Sequence, residues 1–248
     1  LWSEDLRDEG YDLHWCGKWH ISIEESPKDR GWTEHCVSGH QGGSYDQLWE
    51  GRYRSLAEHP EPETRGEGQI LRPGYGTYTL YGTREEGTPH DEEVVEKALE
   101  VMPGLAAQSE RTGHPWGLFV GLIGPHDPFF VPSRYLELYD LDDIPLPASY
   151  ADEMQGKPNL YRRMRTQIWD QLSEREVREA IRHFWAYCSY LDDQLGRLLA
   201  ALEATGQAEN TLVLFTSDHG DYCGEHGLFC KSIPCFRGAY HVPAVIRW

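Results

Sequence analysis

The most regular pattern of apolar and polar positions lies in the second half of the chain and predicts a long helix. Apolar residues recur every three or four positions, which is the spacing of one helical face, at 177, 181, 184, 188, 191, 195, 198 and 202. The stretch Ser173–Glu176 has the S-x-x-E sequence of a capping box, and Gly206 supplies a stop signal. We therefore predict a helix over residues 174–204.

Shorter patterns predict the other elements. An apolar stripe from Val94 to Val101 predicts a second helix over residues 90–108. Apolar runs bounded by Gly, Pro or polar residues predict buried strands at Pro115–Gly124 and Thr211–Thr216. We also expect a short strand and loop within Tyr11–Ile21 and a further strand at Val242–Trp248. By contrast, residues 22–87 are rich in Gly, Pro and charge, and we interpret them as long functional loops with one weak strand near Tyr75–Tyr81.

The order of helices and strands indicates an α/β fold with a largely parallel central sheet flanked by helices. We expect one domain over residues 1–248, with residues 22–87 as a loop or insert region within it. There is no initiating Met, and the chain stops within a predicted strand. We therefore expect a domain truncated at both ends, and the sequence indicates neither a compartment nor an oligomeric state.

Composition narrows the range of functions. The 248 residues include 41 Asp and Glu against 23 Lys and Arg, which gives a net charge of −18. Such an acidic surface repels polyanions, so we expect no nucleic-acid partner. The chain has no run of about 18 apolar residues, so we expect no membrane span. If the substrate is an anion, its attraction must be local, from a few cations or from a metal ion.

The six Cys residues contain no C-x-x-C pair, which argues against a zinc ribbon or a thioredoxin-type motif. Three of them, Cys223, Cys230 and Cys235, lie close together in sequence. We interpret them as small buried residues or as one local disulfide rather than as a zinc site.

Polar residues follow several of the predicted strands. Asp218 and His219 come just after Thr211–Thr216, and a carboxylate beside an imidazole can bind a divalent ion. The alternative is that Asp218 caps the following turn and that His219 hydrogen-bonds within the core. Lys18 and His20 are two residues apart, so an extended backbone points both toward one anion. Here the alternative is an exposed Lys and a partly buried His.

Two further candidates lie in loops. His126 falls between Pro125 and Pro128, which stiffen the loop and fix the direction of the imidazole. That position suits a general acid or an oxyanion donor, with a structural histidine as the alternative. Lys231 lies in a loop shortly after the Asp-His pair, with a solvated side chain as the alternative. Because ligands of α/β sheets collect beyond the carboxyl ends of strands, we expect the candidate groups to gather at one edge.

Together, these stretches resemble the sulfatases of the alkaline-phosphatase-like superfamily. GYDLHWCGKWHIS, at Gly10–Ser22, is similar to the family's G-Y-x-T-x-x-x-G-K-W-H-L-G stretch, and GPHDPF is similar to its P-H-x-P-F segment. The segment from Ala186 to Lys231 resembles the family's helix, strand and metal-site block, and FRGAYHVPAVIRW resembles the segment that follows. Residues 22–87 match poorly.

The resemblance implies a sulfuric ester hydrolase with a divalent metal. Asp218 and His219 would be ligands of that metal. Calcium is the usual ion of the family, and the imidazole ligand leaves manganese open because calcium prefers oxygen. We interpret Asp221, Glu225 and His226, which complete the same stretch, as hydrogen-bonding partners of the loop or of the metal ligands.

The resemblance also implies roles for the other four candidates. Lys18 and Lys231 would hold sulfate oxygens. His20 would hydrogen-bond the nucleophile and help to release sulfate. His126 would bind the ester and protonate the leaving oxygen. A sulfate ester needs such cationic donors because its oxygens carry negative charge in the transition state.

One part of the family pattern is missing from these residues. The family's nucleophile is a formylglycine made from Cys or Ser in a C-x-P-S-R or related motif, and none of the six Cys is followed by x-Pro. FVPSR, at Phe130–Arg134, has P-S-R in register, but Phe130 occupies the Cys position. We therefore expect the nucleophile and the Asp pair that completes the metal site upstream of Leu1. On that interpretation these residues alone do not catalyse turnover, and they bind metal weakly.

Two alternatives to a sulfatase stay open. One is a phosphodiester or phosphonate monoester hydrolase of the same superfamily. The other is a non-catalytic module that binds sulfated glycans or a metal. For the sulfatase, the expected partner is a small or glycan sulfate ester whose identity the sequence does not give.

Overall fold

The computed structural model describes residues 1–22, 24–38, 64–72, 76–87 and 89–248. The helices in these residues are α1 (Trp2–Asp8), α2 (Pro89–Thr112), α3 (Ser133–Leu136), α4 (Asn159–Gln167), α5 (Glu174–Ala204) and α6 (Arg237–Tyr240). The strands are β1 (Asp12–Lys18), β2 (Thr33–Ser38), β3 (Gln69–Arg72), β4 (Gly76–Thr79), β5 (Tyr81–Arg84), β6 (Trp116–Gly121), β7 (Phe129–Pro132), β8 (Val213–Thr216) and β9 (Ala244–Arg247).

The described residues group into two compact units, whereas one domain is expected from the sequence. The first unit takes its residues from Leu1–Gly51, Gly87–Gly124 and Leu191–Thr211. The second takes them from Arg52–Glu86, Pro125–Tyr190 and Leu212–Trp248. The boundary therefore falls within α5, between Tyr190 and Leu191.

The first unit is built on a parallel sheet in the order β2-β1-β6. Successive residues of a strand face opposite sides of the sheet, and the two sides of β1 have different partners. Leu13 and Trp15 pack in an aromatic cluster with Trp19 and Trp32. On the other side, Cys16 packs against α2 in a cluster with buried Val94 and Ala98. Burial on both sides explains why Leu13, Trp15 and Cys16, which face opposite sides of the sheet, are all apolar.

Two contacts fix the ends of the strands in this unit. Gly17 has a φ of +103°, and a Cβ built there would lie 2.0 Å from the carbonyl oxygen of Gly121, so only glycine fits. Asp91 is fully buried in the first turn of α2. Its carboxylate accepts hydrogen bonds from the N–H groups of Ile123, at 2.7 Å, and Gly124, at 3.2 Å. The chain that leaves β6 is therefore fixed by a side chain from α2.

The second unit combines one parallel pair, β5–β7, with two antiparallel pairs, β3–β4 and β8–β9. Its core surrounds the first half of α5, where Val177, Ala180 and Ile181 are buried. The other buried members of this core are Ile70, Leu80, Phe129, Ile144, Met154, Trp169, Leu172, Tyr222, Leu228, Phe229 and Ala239. Buried residues from the loops after β8 therefore belong to the same core as the helix.

The structure confirms the main elements predicted from periodicity. Helix α5 spans the predicted residues, and Ser173 and Glu176 form the predicted capping box, with each backbone N–H bonded to the other side chain. The α/β class is also confirmed, because helices accompany parallel pairings in both units. Among the described helices, none is both long enough and apolar enough to cross a bilayer.

Two predictions need correction. The weak strand predicted near Tyr75–Tyr81 forms as β4, but the described parts of residues 22–87 also contain β2, β3 and β5, where only loops were expected. Residues 23, 39–63 and 73–75 lie outside the described parts. The predicted strand at Thr211–Thr216 forms as β8, but its side chains are largely exposed, with Leu214 at 56%. The side chains of its partner β9 are exposed as well, because within the described residues these two strands pair only with each other.

Candidate active site

His126 and Lys231 are in direct contact in the second unit, although 105 residues separate them in sequence. The Nζ atom of Lys231 lies 2.9 Å from Nε2 of His126. The other ring nitrogen, Nδ1, lies 2.7 Å from the carbonyl oxygen of Asp127. A carbonyl can only accept, so Nδ1 carries the proton and Nε2 accepts from the lysine ammonium. The contact therefore holds a neutral imidazole against a cation.

Asp218 and His219 follow β8 directly and can share one ion. Nδ1 of His219 lies 2.8 Å from the carbonyl oxygen of Gly220, which places the proton on Nδ1 and leaves the lone pair on Nε2. That Nε2 atom lies 3.8 Å from Oδ1 of Asp218. Metal–ligand bonds of about 2.0–2.6 Å allow two ligand atoms at this separation to bind the same ion. The donor set therefore fits a divalent metal.

The two pairs lie next to each other. The rings of His126 and His219 are 5.6 Å apart between centroids and meet edge to face, at 77°. We call Asp218, His219, His126 and Lys231 the His–Lys cluster. It gathers a carboxylate, two imidazoles and an ammonium from two segments of the second unit, Pro125–Tyr190 and Leu212–Trp248. Such a set can bind a metal and an anion side by side.

A partly buried carboxylate, that of Asp221, supports the loop that carries Lys231. Oδ1 of Asp221 accepts hydrogen bonds from the N–H groups of Cys223, at 2.7 Å, and Cys230, at 3.1 Å. The N–H of Tyr222 donates to the carbonyl of Cys230 at 3.0 Å, which closes the loop. Desolvation raises the pKa of Asp221 to about 7, against the two backbone hydrogen bonds that lower it. These hydrogen bonds therefore fix the position of Cys230, which directly precedes Lys231.

His226 fastens the middle of the same loop. Its Nδ1 lies 2.7 Å from Oδ2 of Asp152, and its ring stacks on Phe236 with a centroid separation of 3.7 Å. Its φ of 54° is a left-handed conformation, which is unfavourable for a residue with a side chain. Glu225, its neighbour, accepts a hydrogen bond from the N–H of Gly238 at 2.9 Å. These contacts agree with the supporting role predicted for both residues.

A second group of possible ligands lies beside the cluster. Single ligand atoms of Asp127, Asp221 and Cys230 lie within 4.8 Å of one another. Two of the three are already hydrogen-bonded to each other, because the Cys230 thiol bonds to the carboxylate of Asp127. That carboxylate also accepts a hydrogen bond from the hydroxyl of Tyr78. This group could hold a metal, and it also links the segment of His126 to that of Lys231. The sequence patterns gave no role to Asp127 or Cys230, since only the fold brings them together.

Lys18 and His20 belong to the first unit. Lys18 is the last residue of β1 and is half-buried, whereas His20 is exposed. Trp19 lies between them and is buried, and its backbone N–H donates to the carbonyl oxygen of Ser38 at 2.6 Å. This anchor extends the strand pairing past Lys18, so both candidates keep the extended spacing expected from the sequence. Their approach to the His–Lys cluster stays a prediction.

The six cysteines are all free. The predicted alternative of one local disulfide is therefore not formed. Cys223 and Cys230 are partly buried, as the interpretation as small buried residues requires, but Cys235 is exposed.

Comparison with known proteins identifies the family. Residues 4–248 match the Sulfatase family, and the chain therefore belongs to it. The choline-sulfatase of Rhizobium meliloti (strain 1021) is 28% identical over 263 residues, covering 99% of this chain and 46% of that protein. The iduronate 2-sulfatase of Homo sapiens is 32% identical over 178 residues, covering 64% of this chain and 30% of that protein. The chain spans less than half the length of these relatives.

Solved structures show the same fold. The phosphonate monoester hydrolase SpPMH from Silicibacter pomeroyi matches 99% of this chain and 52% of its own, with a TM-score of 0.65 and 20% identity. BT4656, solved with D-glucosamine-2-N,6-O-disulfate, matches 100% of this chain and 55% of its own, with a TM-score of 0.61 and 17% identity. The resemblance to sulfatases and the α/β fold are thus confirmed.

Proposed function

We propose that this protein hydrolyses sulfate esters and that the His–Lys cluster is part of its active site. The observation that carries the proposal is the contact between Lys231 and His126 beside Asp218 and His219. A cation, a histidine and a pair of metal ligands are the groups that hydrolysis of an anionic ester requires. The relatives named as sulfatases support the same reaction class.

Lys231 and His126 are assigned to the ester. The ammonium of Lys231 stabilises negative charge on the sulfate oxygens. His126 binds the bridging oxygen and protonates it as the bond to sulfur breaks. For that step Nε2, which accepts from Lys231 in this structure, must instead carry a proton, while Nδ1 keeps its hydrogen bond to the carbonyl oxygen of Asp127.

Asp218 and His219 are assigned to a divalent ion, Ca²⁺ or Mn²⁺. The ion would stabilise negative charge on the group that is transferred. The Nε2 lone pair of His219 favours Mn²⁺, because imidazole is a common ligand of transition metals and Ca²⁺ takes oxygen ligands. The two side chains supply only two ligands, so further ligands come from residues beyond this pair.

The remaining roles rest on the resemblance. Lys18 holds a second sulfate oxygen, and His20 hydrogen-bonds the nucleophile. We assign the nucleophile, a formylglycine, to a part of the full-length protein outside these 248 residues. The isolated 248 residues are then expected to bind metal weakly and to show no turnover.

The test compares three esters of one leaving group on the full-length protein. We expect the kcat/KM for 4-nitrophenyl sulfate to be at least about tenfold above the values for 4-nitrophenyl phosphate and 4-nitrophenyl phenylphosphonate. A tenfold ratio corresponds to about 1.4 kcal/mol of preference for the transition state of sulfate ester hydrolysis. EDTA should abolish the activity, and Mn²⁺ or Ca²⁺ should restore it. A preference for the phosphonate would assign the protein to the phosphonate hydrolases instead. Binding of sulfated sugars without any turnover would assign it to a non-catalytic module.

A further inference from the structure

We propose that Cys16 and Cys36 form a disulfide bond between β1 and β2 when a small-molecule disulfide oxidises them. The two residues are direct partners in the parallel pairing of these strands. Their thiol groups are hydrogen-bonded to each other. The site lies wholly within the first unit and takes no part in the chemistry proposed for the His–Lys cluster.

The backbone geometry suits the bond. Neighbouring strands lie about 4.7–4.9 Å apart, and disulfides join Cα atoms about 4.4–6.8 Å apart. The strands therefore need no separation or approach before the bond forms. Cys36 also packs against the same apolar cluster as Cys16, so both side chains lie on the same side of the sheet.

An irregularity in the strand pairing creates this register. Trp15 pairs with Glu34, but the next residue of β1, Cys16, pairs with Cys36. Regular pairing would have placed His35 opposite Cys16. The extra residue in β2 is a bulge, which shifts the register by one position. The bulge is therefore what brings the two thiols together.

The two thiols differ in access. Cys16 is fully buried, whereas Cys36 is partly exposed. An oxidant in solution therefore reaches Cys36 first. Burial raises the pKa of both thiols, that of Cys16 to about 12, so both are largely protonated at neutral pH and their exchange with a small disulfide is slow.

The exchange has two balanced steps. The thiolate of Cys36 attacks a small disulfide RS–SR, which forms the mixed disulfide Cys36–S–SR and releases RS⁻, and this takes up the proton that Cys36 lost. The thiolate of Cys16 then attacks the sulfur of Cys36 and expels the second RS⁻, which is protonated in the same way. Two protein thiols are oxidised, and one small disulfide is reduced to two thiols.

A metal site is the competing use of two adjacent thiols. Zinc and similar ions usually require three or four protein ligands. Among the described residues, the one group of three close ligand atoms is that of Asp127, Asp221 and Cys230, in the second unit. The geometry around Cys16 and Cys36 therefore favours the disulfide.

Peptide mapping tests the proposal directly. The full-length protein is incubated with oxidised glutathione, its remaining thiols are alkylated, and it is digested with trypsin without reduction. Cys16 and Cys36 fall in different tryptic peptides, 8–18 and 31–52. We expect these peptides to be joined, with a mass two hydrogens below their sum. The linked mass should vanish in Cys36→Ser and persist in Cys235→Ser, which removes an exposed cysteine.

A second measurement uses only the wild-type protein, in case Cys36→Ser does not fold. The bond would close a loop of about 20 residues, and the oxidised protein should melt about 5–10 °C above the reduced protein. Glutathione retained on Cys36, with Cys16 still open to alkylation in denaturant, would overturn the proposal. So would a linked peptide that joins Cys16 to any other cysteine.

Discussion

The two units hold their polar groups in place by different means. In the first, Lys18 stands at the end of a strand that is buried on both sides and paired on both edges, so backbone register fixes its position. In the second, Lys231 and His126 lie in loops, where side chains such as Asp221 fasten the backbone. The first arrangement can be inferred from periodicity. The second depends on hydrogen bonds between residues that are far apart in sequence.

The same contrast applies to buried polar contacts. In the first unit, His14 and His35 stack, with Nδ1 of His14 3.0 Å from Nε2 of His35, within a sheet that has an apolar cluster on each side. In the second, Glu176 binds Arg65 and also accepts from the N–H of Gly68 at 2.9 Å. Removal of a buried polar side chain should therefore lower the free energy of unfolding more in the second unit. A substitution that adds side-chain volume should lower it most in the first unit.

The largest effect is expected from Lys231→Ala in the full-length protein. Loss of its charge should lower kcat for sulfate ester hydrolysis by about 10²–10³-fold, the usual effect of removing one transition-state donor. Lys97→Ala is the matched control, because Lys97 makes an exposed ion pair with Glu100, and its kcat should stay within about twofold of wild type. Steady-state kinetics checks both. Equal activity of the two variants would remove Lys231 from the active site.

Two glycine substitutions in the first unit should differ in how much they lower the free energy of unfolding, because one glycine is closely packed and the other is not. In Gly17→Ala the new Cβ would meet the carbonyl oxygen of Gly121 at 2.0 Å, in addition to the cost of a positive φ. We expect the free energy of unfolding to fall by about 3–4 kcal/mol. Gly10→Ala has a similar φ, +90°, with no atom within 4 Å, and should lose only about 1 kcal/mol. Denaturant titrations followed by tryptophan fluorescence measure the difference, and equal losses would argue against the close packing of β1 on β6.

Glu176→Gln tests the claim for the second unit. It leaves Arg65 without its anionic partner, and the side chain of Glu176 is only 8% exposed. Burial raises the pKa of Glu176, but Arg65 and the backbone N–H donors outweigh this and lower it to about 2. We expect a loss of about 3 kcal/mol in the free energy of unfolding.

Glu174→Gln, in the same turn of α5, is the control. Its carboxylate is 62% exposed and pairs with Arg178, so the expected loss is below about 0.5 kcal/mol. Thermal unfolding of the two variants should therefore differ by several degrees. A Glu176→Gln variant as stable as Glu174→Gln would show that the buried ion pair contributes nothing.

The smallest expected effect is a pH dependence in the first unit. Burial lowers the pKa of His14 below its value of 6.5 in the unfolded chain, and the charge of His35 lowers it further. The folded state thus binds fewer protons, so stability is complete above about pH 6.5 and falls as the pH drops below it. We expect the melting temperature to fall by a few degrees between pH 7.5 and pH 5.5, and His14→Gln should flatten this slope. An unchanged slope would exclude His14 as its source.

Periodicity identified much of the framework and little of the site. The spacing of apolar residues was sufficient for α5, and Gly and Pro boundaries located β6. Strands β2 and β3 were missed because they lie among Gly and charged residues, where short strands have no clear alternation. His126 and Lys231 were singled out, yet their contact was expected only from strand ends and from the family resemblance.

The supporting residues could not have been found from spacing. Asp127 and Cys230 matter because the fold places their ligand atoms close to that of Asp221. The spacing of residues along the chain does not predict this proximity. The exposed faces of β8 and β9 were missed for a related reason, because an apolar run indicates a strand but does not specify what packs against it.

The central claim is that Asp218 and His219 bind one metal ion beside His126 and Lys231. Electron spin echo envelope modulation of Mn²⁺ bound to the full-length protein tests it most directly, because it detects a histidine nitrogen bonded to the metal. We predict a nitrogen coupling in the wild type that is lost in His219→Ala and retained in His226→Ala. A coupling that persists in His219→Ala, or no nitrogen coupling in the wild type, would contradict the claim.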